Sequence, residues 1–317
     1  MTQVDRFEEL LSYALNKSVT DMHFDIKDNQ VTILFRAING FKQLESTPHD
    51  ISLIRHLKYL AHLDLTGSLT PQTGSFSYIY QNQEYHFRLA VLKTFNTESC
   101  VIRILNSAFA LQQVNSPLLN NLIFSKVKDK RNGMILFSGA TGSGKTTSLY
   151  ALLQLFTKLE KRIYTIEDPI EILFENIVQI QVNKQKGLSY QQGIKQLLRH
   201  DPDIIVIGEI RDATEAQMAI RSALTGHLVI STVHAKSTSG VIHRLLDLGI
   251  SKQDLSETIT LITNQQLLTR KNKKGRICLY EVMDSAEMEF FLQNNHHSNA
   301  FCTLEEVVKC ATQAQII

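Results

Sequence analysis

The residues best suited to chemistry stand in one run, Gly139-Ala140-Thr141-Gly142-Ser143-Gly144-Lys145-Thr146-Thr147. Glycines at 139, 142 and 144 let the backbone curl closely enough for its N–H groups to surround phosphate oxygens at the start of a helix. Side chains at those positions would obstruct the approach. Lys145 offers a point charge to the β and γ phosphates, and the Thr146 hydroxyl is a ligand of the kind Mg²⁺ accepts. The pattern is G-x-x-x-x-G-K-[ST], set between an apolar run, Met134 to Phe137, and a helical pattern from Lys145 to about Leu159. That strand, loop and helix context separates a phosphate cradle from an incidental glycine turn.

Hydrolysis of a bound nucleotide, ATP with Mg²⁺, also needs carboxylates. One should hold the metal's water at the tip of a neighbouring strand, and Ile204-Ile205-Val206-Ile207-Gly208-Glu209 supplies an apolar strand ending in Gly and Glu. Another should polarise the attacking water, and Thr165-Ile166-Glu167-Asp168-Pro169 offers two acids after a further apolar run. Acids after strands commonly cap the next helix, so each run alone is a weak signal. Beside the phosphate loop they become a candidate site.

The elements that must position these residues follow from periodicity. Ile163 to Ile166, Ile204 to Ile207 and Leu228 to Ser231 are short apolar runs suited to strands buried on both faces. With helices between them, they predict an α/β domain of RecA-like P-loop type, with a mainly parallel sheet. The first hundred residues read differently, as α+β. Phe7, Leu10, Leu11, Ala14 and Leu15 share one face of a helix over 5–16, and strands are expected at 22–26 and 31–38, with a hairpin turn at Asn39-Gly40. A helix follows at about 50–63, then a turn-rich stretch at 66–75, then strands at 76–80, 85–92 and 100–105. Periodicity fades between 107 and 117, which gives an N-terminal domain over 1–106, a linker over 107–117 and an ATPase domain over 118–317.

Composition narrows the function classes. The 317 residues are 43% hydrophobic and 20% charged, enough for two packed cores. No apolar run reaches about 18 residues, and the first residues, MTQVDRFEEL, place acids where a signal peptide is basic, so a soluble cytoplasmic protein is expected. Cys100, Cys278, Cys302 and Cys310 include no C-x-x-C pair, so free thiols and no zinc are expected. A net charge of +2 with interspersed signs gives no field for nucleic acid, and direct nucleic-acid binding is not expected. The densest basic run, Arg270, Lys271, Lys273, Lys274 and Arg276, reads more simply as a solvated loop than as a contact for anionic lipid or an acidic partner.

The motifs together resemble the secretion ATPase superfamily, which powers type II secretion and type IV pilus machines. Its Walker A loop is matched from Gly139 by GATGSGKTTSLY, and its Asp box by TIEDPIE, Thr165 to Glu171. Its Walker B is matched by DPDIIVIGEIRD, Asp201 to Asp212, and its His box by TGHLVISTVHA, Thr225 to Ala235. The resemblance implies that Glu167 is the general base, that Glu209 binds Mg²⁺ partly through water, and that His227 and His234 couple nucleotide state to conformation. It also implies that Arg88 and Arg103, on first-domain strands, approach the γ-phosphate across the domain cleft, and that Arg199 is a further such arginine. Lys195 stands where many relatives have an arginine, which puts bidentate contact there in doubt. The first domain resembles the family's PAS-like N-terminal module at Ser18 to His23, Phe35 to Gly40 and Pro71 to Gly74, with Thr73 in place of an acid. Asp21 and His23 fit an interface or a structural role equally.

Within the superfamily, secretory members usually carry extra N-terminal domains and a four-cysteine zinc module after the segment matching Gln265 to Arg270, neither of which is found in this chain. It is similar to the compact competence pilus assembly ATPases of Gram-positive bacteria. Ala223-Leu224-Thr225-Gly226-His227 has the assembly-type His box, and no A-I-R-N-L-I sequence follows Glu287. This implies a homohexamer that works at the inner face of the cell membrane on a polytopic platform protein and, indirectly, on pilin-like subunits. The alternatives are a pilus retraction or conjugative-transfer ATPase, and a nucleotide-gated scaffold that does not hydrolyse ATP.

Overall fold

The computed structural model describes residues 2–17, 19–37, 40–65, 69–105, 117–183, 187–271 and 275–317. The chain forms two compact units, Met1–Ser107 and Ala108–Ile317. Of the expected linker, residues 107–116 lie outside the described residues, as do Asn39 of the expected hairpin turn, residues 66–68 of the turn-rich stretch and residues 272–274 of the basic run.

In the first unit, helix α1 (Gln3–Asn16) starts at a capping box, in which Asp5 N donates to Thr2 Oγ1 at 3.1 Å and Thr2 N donates to Asp5 Oδ2 at 2.6 Å. Its apolar face of Phe7, Leu10, Leu11 and Ala14 is buried with Leu53, Ile54 and Leu57 of α2 (Asp50–Leu60). Both helices cover one face of an antiparallel sheet in the order β3-β2-β1-β6-β5-β4. Its strands are β1 (Asp21–Lys27), β2 (Gln30–Ala37), β3 (Gly40–Leu44), β4 (Gln72–Tyr80), β5 (Gln83–Lys93) and β6 (Thr97–Ile104). Alternation decides which side chains enter the core: Met22 and Phe24 do, and their neighbours Asp21, His23 and Asp25 take the other face. Of the turn-rich stretch, Gln72 to Gly74 are instead the start of β4. Gly74 is needed there because a Cβ would lie 2.2 Å from the carbonyl oxygen of Ala61, so the glycine marks a close approach and not a turn.

The second unit holds a seven-stranded sheet in the order β13-β12-β7-β11-β10-β8-β9. The strands expected from the sequence are β7 (Gly133–Ser138), β8 (Ile163–Glu167), β10 (Ile204–Ile207) and β11 (Leu228–Val233). They run parallel, joined by β9 (Val178–Gln181) and β12 (Ile259–Thr269), and β13 (Arg276–Asp284) pairs antiparallel with β12. Side chains alternate between two cores. Met134, Leu136, Ile205, Ile207 and Val229 face one, with α5 (Tyr190–Leu197), α6 (Ala213–Leu224) and α7 (Thr238–Asp247). Ile135, Phe137, Val206, Leu228 and Ile230 face the other, with α4 (Lys145–Thr157) and the short helical run α3, which passes from Pro117–Leu119 through a π turn, Asn120–Phe124, to Ser125–Val127. Three more helices complete the described residues of this unit: α8 (Lys252–Thr258), α9 (Ser285–Asn294) and α10 (Leu304–Gln313). No helix among the described residues is long and apolar enough to cross a membrane.

Candidate nucleotide site

The glycine loop leaves the carboxyl end of β7 at Ser138 and enters α4 at Lys145. Gly139, Gly142 and Gly144 have φ of +142°, +79° and +87°, a region that costs L side chains strain. Gly139 has a second reason for being glycine. A Cβ there would lie 2.6 Å from both the Gln265 carbonyl oxygen and Ser143 Oγ, so the loop packs tightly on β12. Ala140, Thr141 and Gly142 are exposed, whereas Thr146 and Thr147 are half-buried in the first turn of α4. Lys145 is 8% exposed, and its ammonium donates to the carbonyl oxygens of Gly139 at 2.8 Å and Ala140 at 3.2 Å. Burial pulls its pKa below the usual lysine range, and the neighbouring Glu209 draws it back up.

A histidine and a carboxylate join this lysine. His234, just past the end of β11, places Nδ1 3.4 Å from Lys145 Nζ and Nε2 3.1 Å from Glu209 Oε1. Against a charged lysine Nδ1 must accept, so the proton sits on Nε2 and is donated to Glu209. Glu209 Oε2 accepts from Arg211 Nε at 3.0 Å, and Arg211 Nη1 lies 3.5 Å from Asp168 Oδ2. The Arg211 pKa is raised, first by its bond to Glu209. Lys145, His234, Glu209, Arg211 and Asp168 thus form one chain of alternating donors and acceptors outside the carboxyl ends of β7, β11, β10 and β8, where open α/β sheets hold ligands. Asp168 is the second acid of the run that offered Glu167, and Arg211 has no role assigned from the sequence. The available signal was Arg211 two residues after Glu209, the spacing that returns a side chain to the same side of extended backbone.

Glu167 occupies a different environment from the one expected of an accessible base. It is 5% exposed and accepts from Thr165 Oγ1 at 2.6 Å, Gln179 Nε2 at 3.1 Å and the Tyr150 hydroxyl. Burial raises its pKa, and these hydrogen bonds oppose the rise. Through Tyr150 the carboxylate is fastened to α4, the helix that begins at Lys145.

Two expected site residues lie at the opposite edge of the sheet. His227 immediately precedes β11, its carbonyl oxygen accepts from Gly133 N at the start of β7 at 3.2 Å, and its Nδ1 lies 3.2 Å from Ser222 O and Thr225 Oγ1. Six strand residues separate it from His234, roughly 20 Å. Arg199 follows α5 ahead of β10, where it borders a groove with Gly187, Leu188, Gln192, Lys195 and Gln196. Neither residue is brought to the phosphate loop of its own unit. Within this unit His227 closes the turn between α6 and β11. Arg88 and Arg103 belong to the first unit, where they are register partners on β5 and β6. Arg103 Nε donates to Asp21 Oδ1 at 2.7 Å, so Asp21 has a structural partner, and His23 stands edge-on to Phe41 with Nε2 buried and unpaired.

The motifs, their order and the fold that places them agree with comparison to known proteins. The family model described as Type II/IV secretion system protein matches residues 3–313. The chain belongs to this family. It is 32% identical to the competence protein ComGA of Bacillus subtilis (strain 168), over 95% of this chain and 92% of that protein. Among solved structures, the ATPase DotB of Legionella pneumophila superposes with a TM-score of 0.78 at 20% identity, covering 100% of this chain and 94% of that one. The pilus retraction motor PilT with bound ADP superposes with a TM-score of 0.76 at 24% identity, covering 98% and 94%. At these identities the structures establish the fold, a secretion ATPase fold with an antiparallel N-terminal sheet and a mainly parallel C-terminal one.

Proposed function

We propose that this secretion ATPase hydrolyses ATP to power assembly of a type IV-like competence pseudopilus for DNA uptake. The observation that carries the chemistry is the contact of Lys145, His234 and Glu209 beside the phosphate loop. Incoming phosphate oxygens replace the Gly139 and Ala140 carbonyls as partners of the Lys145 ammonium, which lies already desolvated and aimed into the loop. His234 then reports the occupancy of that lysine to Glu209 and Arg211. The likeness to ComGA over nearly the full length of both chains supports the competence role.

The donor set suits Mg²⁺. Thr146 and Glu209 are oxygen donors, and no group of three or more His, Cys, Asp or Glu among the described residues could hold a metal by itself. A hard cation here takes few protein ligands and completes its shell with phosphate and water. When bound, it would screen the charge of the transferring phosphoryl group, held by Thr146 directly and by Glu209 through water.

Glu167 serves as general base in this reading. Its raised pKa brings it nearer the working pH, and release from Tyr150 frees the carboxylate for a water. Arg88 and Arg103 supply charge from the first unit, and Arg199 serves a neighbouring subunit of a ring of six. The ring works in the cytoplasm at the membrane's inner face, turning a polytopic platform protein that adds pilin-like subunits. Glu167→Gln is expected to abolish phosphate release and to retain nucleotide binding; full activity removes the assigned base. Deleting the gene should abolish the filaments, whereas surplus filaments would mean a retraction motor.

A further inference from the structure

Strand β12 has the sequence ITLITNQQLLT, and two of its polar side chains lie in the interior, Asn264 1% exposed and Gln265 2% exposed. Buried amides cost stability unless they are bonded, so what they bond decides why they are there. Gln265 Nε2 donates to the Ser143 carbonyl oxygen of the phosphate loop at 2.8 Å and lies 3.1 Å from Cys278 Sγ, while the backbone carbonyl of the same residue is the group that Gly139 packs against. Asn264 Nδ2 donates at 2.9 Å to the carbonyl oxygen of Lys236, two residues after His234. Asn264 Oδ1 accepts from Ser138, the last residue before the phosphate loop, at 3.3 Å.

Adjacent strand residues point to opposite faces, so the two amides straddle the sheet and each holds a loop from its own side. Glu281, the register partner of Asn264 on β13, strengthens the second grip by accepting from Thr238 N and Oγ1, both at 2.7 Å. The contact between Lys145 and His234 spans these same two loops.

We infer that Asn264 and Gln265 are positioning residues, Gln265 fixing the phosphate loop for nucleotide binding and Asn264 fixing the His234 loop for turnover. The division of labour rests on the ATPase reading above. The two side chains are equally buried neighbours on one strand, so a role in core stability alone would give their variants the same kinetic signature.

The test uses the full chain, fluorescent mant-ADP titration, steady-state phosphate release and thermal melting. Gln265→Met, which keeps the volume and removes the donor, should weaken mant-ADP binding and raise KM about tenfold, with kcat within about twofold. Asn264→Leu should lower kcat about tenfold and leave mant-ADP affinity within about twofold. If the leucine variant does not fold, Asn264→Asp keeps the acceptor for Ser138 and removes only the donor to Lys236. The His234 imidazole NMR signal, identified with His234→Gln, should move in the Asn264 variant and stay in Gln265→Met. Both variants losing affinity and kcat in proportion to melting temperature, or neither changing either quantity, overturns the inference. Wild-type protein without turnover above Lys145→Ala would defeat the ATPase reading instead, leaving the mant-ADP and imidazole measurements to decide the positioning roles.

Discussion

The two edges of the parallel sheet share strands and motifs but carry different contacts: the carboxyl edge links Lys145, His234, Glu209, Arg211 and Asp168, and the amino edge pairs Lys161 with Asp203. His234 and His227 come from one motif and bracket one strand. At the carboxyl end, His234 joins Lys145 to Glu209; at the amino end, His227 contacts the turn that precedes it. Sequence proximity therefore says little about shared chemistry along a strand, since each residue adds about 3.3 Å. The parallel direction of β7, β8, β10 and β11 decides instead, because it delivers all four strand ends to one side.

The largest difference between the edges should appear in the histidines. His234→Ala is expected to lower phosphate release about a hundredfold with nucleotide binding retained, while His227→Ala lowers phosphate release less than about threefold. Equal effects on phosphate release would dissolve the comparison. Next in size, Arg211→Ala should lower kcat about tenfold by releasing Glu209 from one of its two partners, measured by the same assay.

A smaller effect concerns pH. The Glu167 pKa is raised in the folded state above the ordinary 4.5, so the folded protein binds this proton more tightly than the unfolded chain. Its contribution to stability is full below pH 4.5 and is lost as pH rises through the folded pKa. Denaturant unfolding across that window should show the stability of wild type falling relative to Glu167→Gln as pH rises; a constant difference would contradict the buried environment described for the carboxylate. Smallest of all, Asp212 caps α6 through Glu215 N at 2.9 Å, so Asp212→Ala should cost about 1 kcal/mol in unfolding and leave kcat unchanged, although it ends the same motif as Glu209.

The glycine loop, the four apolar strands and the carboxylates at their tips were legible because each is a local signal: backbone freedom, a short apolar run, an acid at its end. The register that brings His234 to Lys145 was not, nor the capture of Glu167 by Tyr150 and Gln179, because those contacts join residues far apart in the chain. Strands β12 and β13 escaped notice for a related reason. Asn264 and Gln265 interrupt the apolar pattern of β12, and only the loops they grip explain why polar residues occupy a buried strand. Gly74 shows the converse, a turn residue by type that serves as a strand residue by packing.

Steady-state phosphate release from MgATP by the full chain, beside Lys145→Ala, tests the carboxyl-edge site most directly. The account predicts turnover in the wild type that falls at least about a hundredfold in the variant. Equal rates in the two proteins would contradict it.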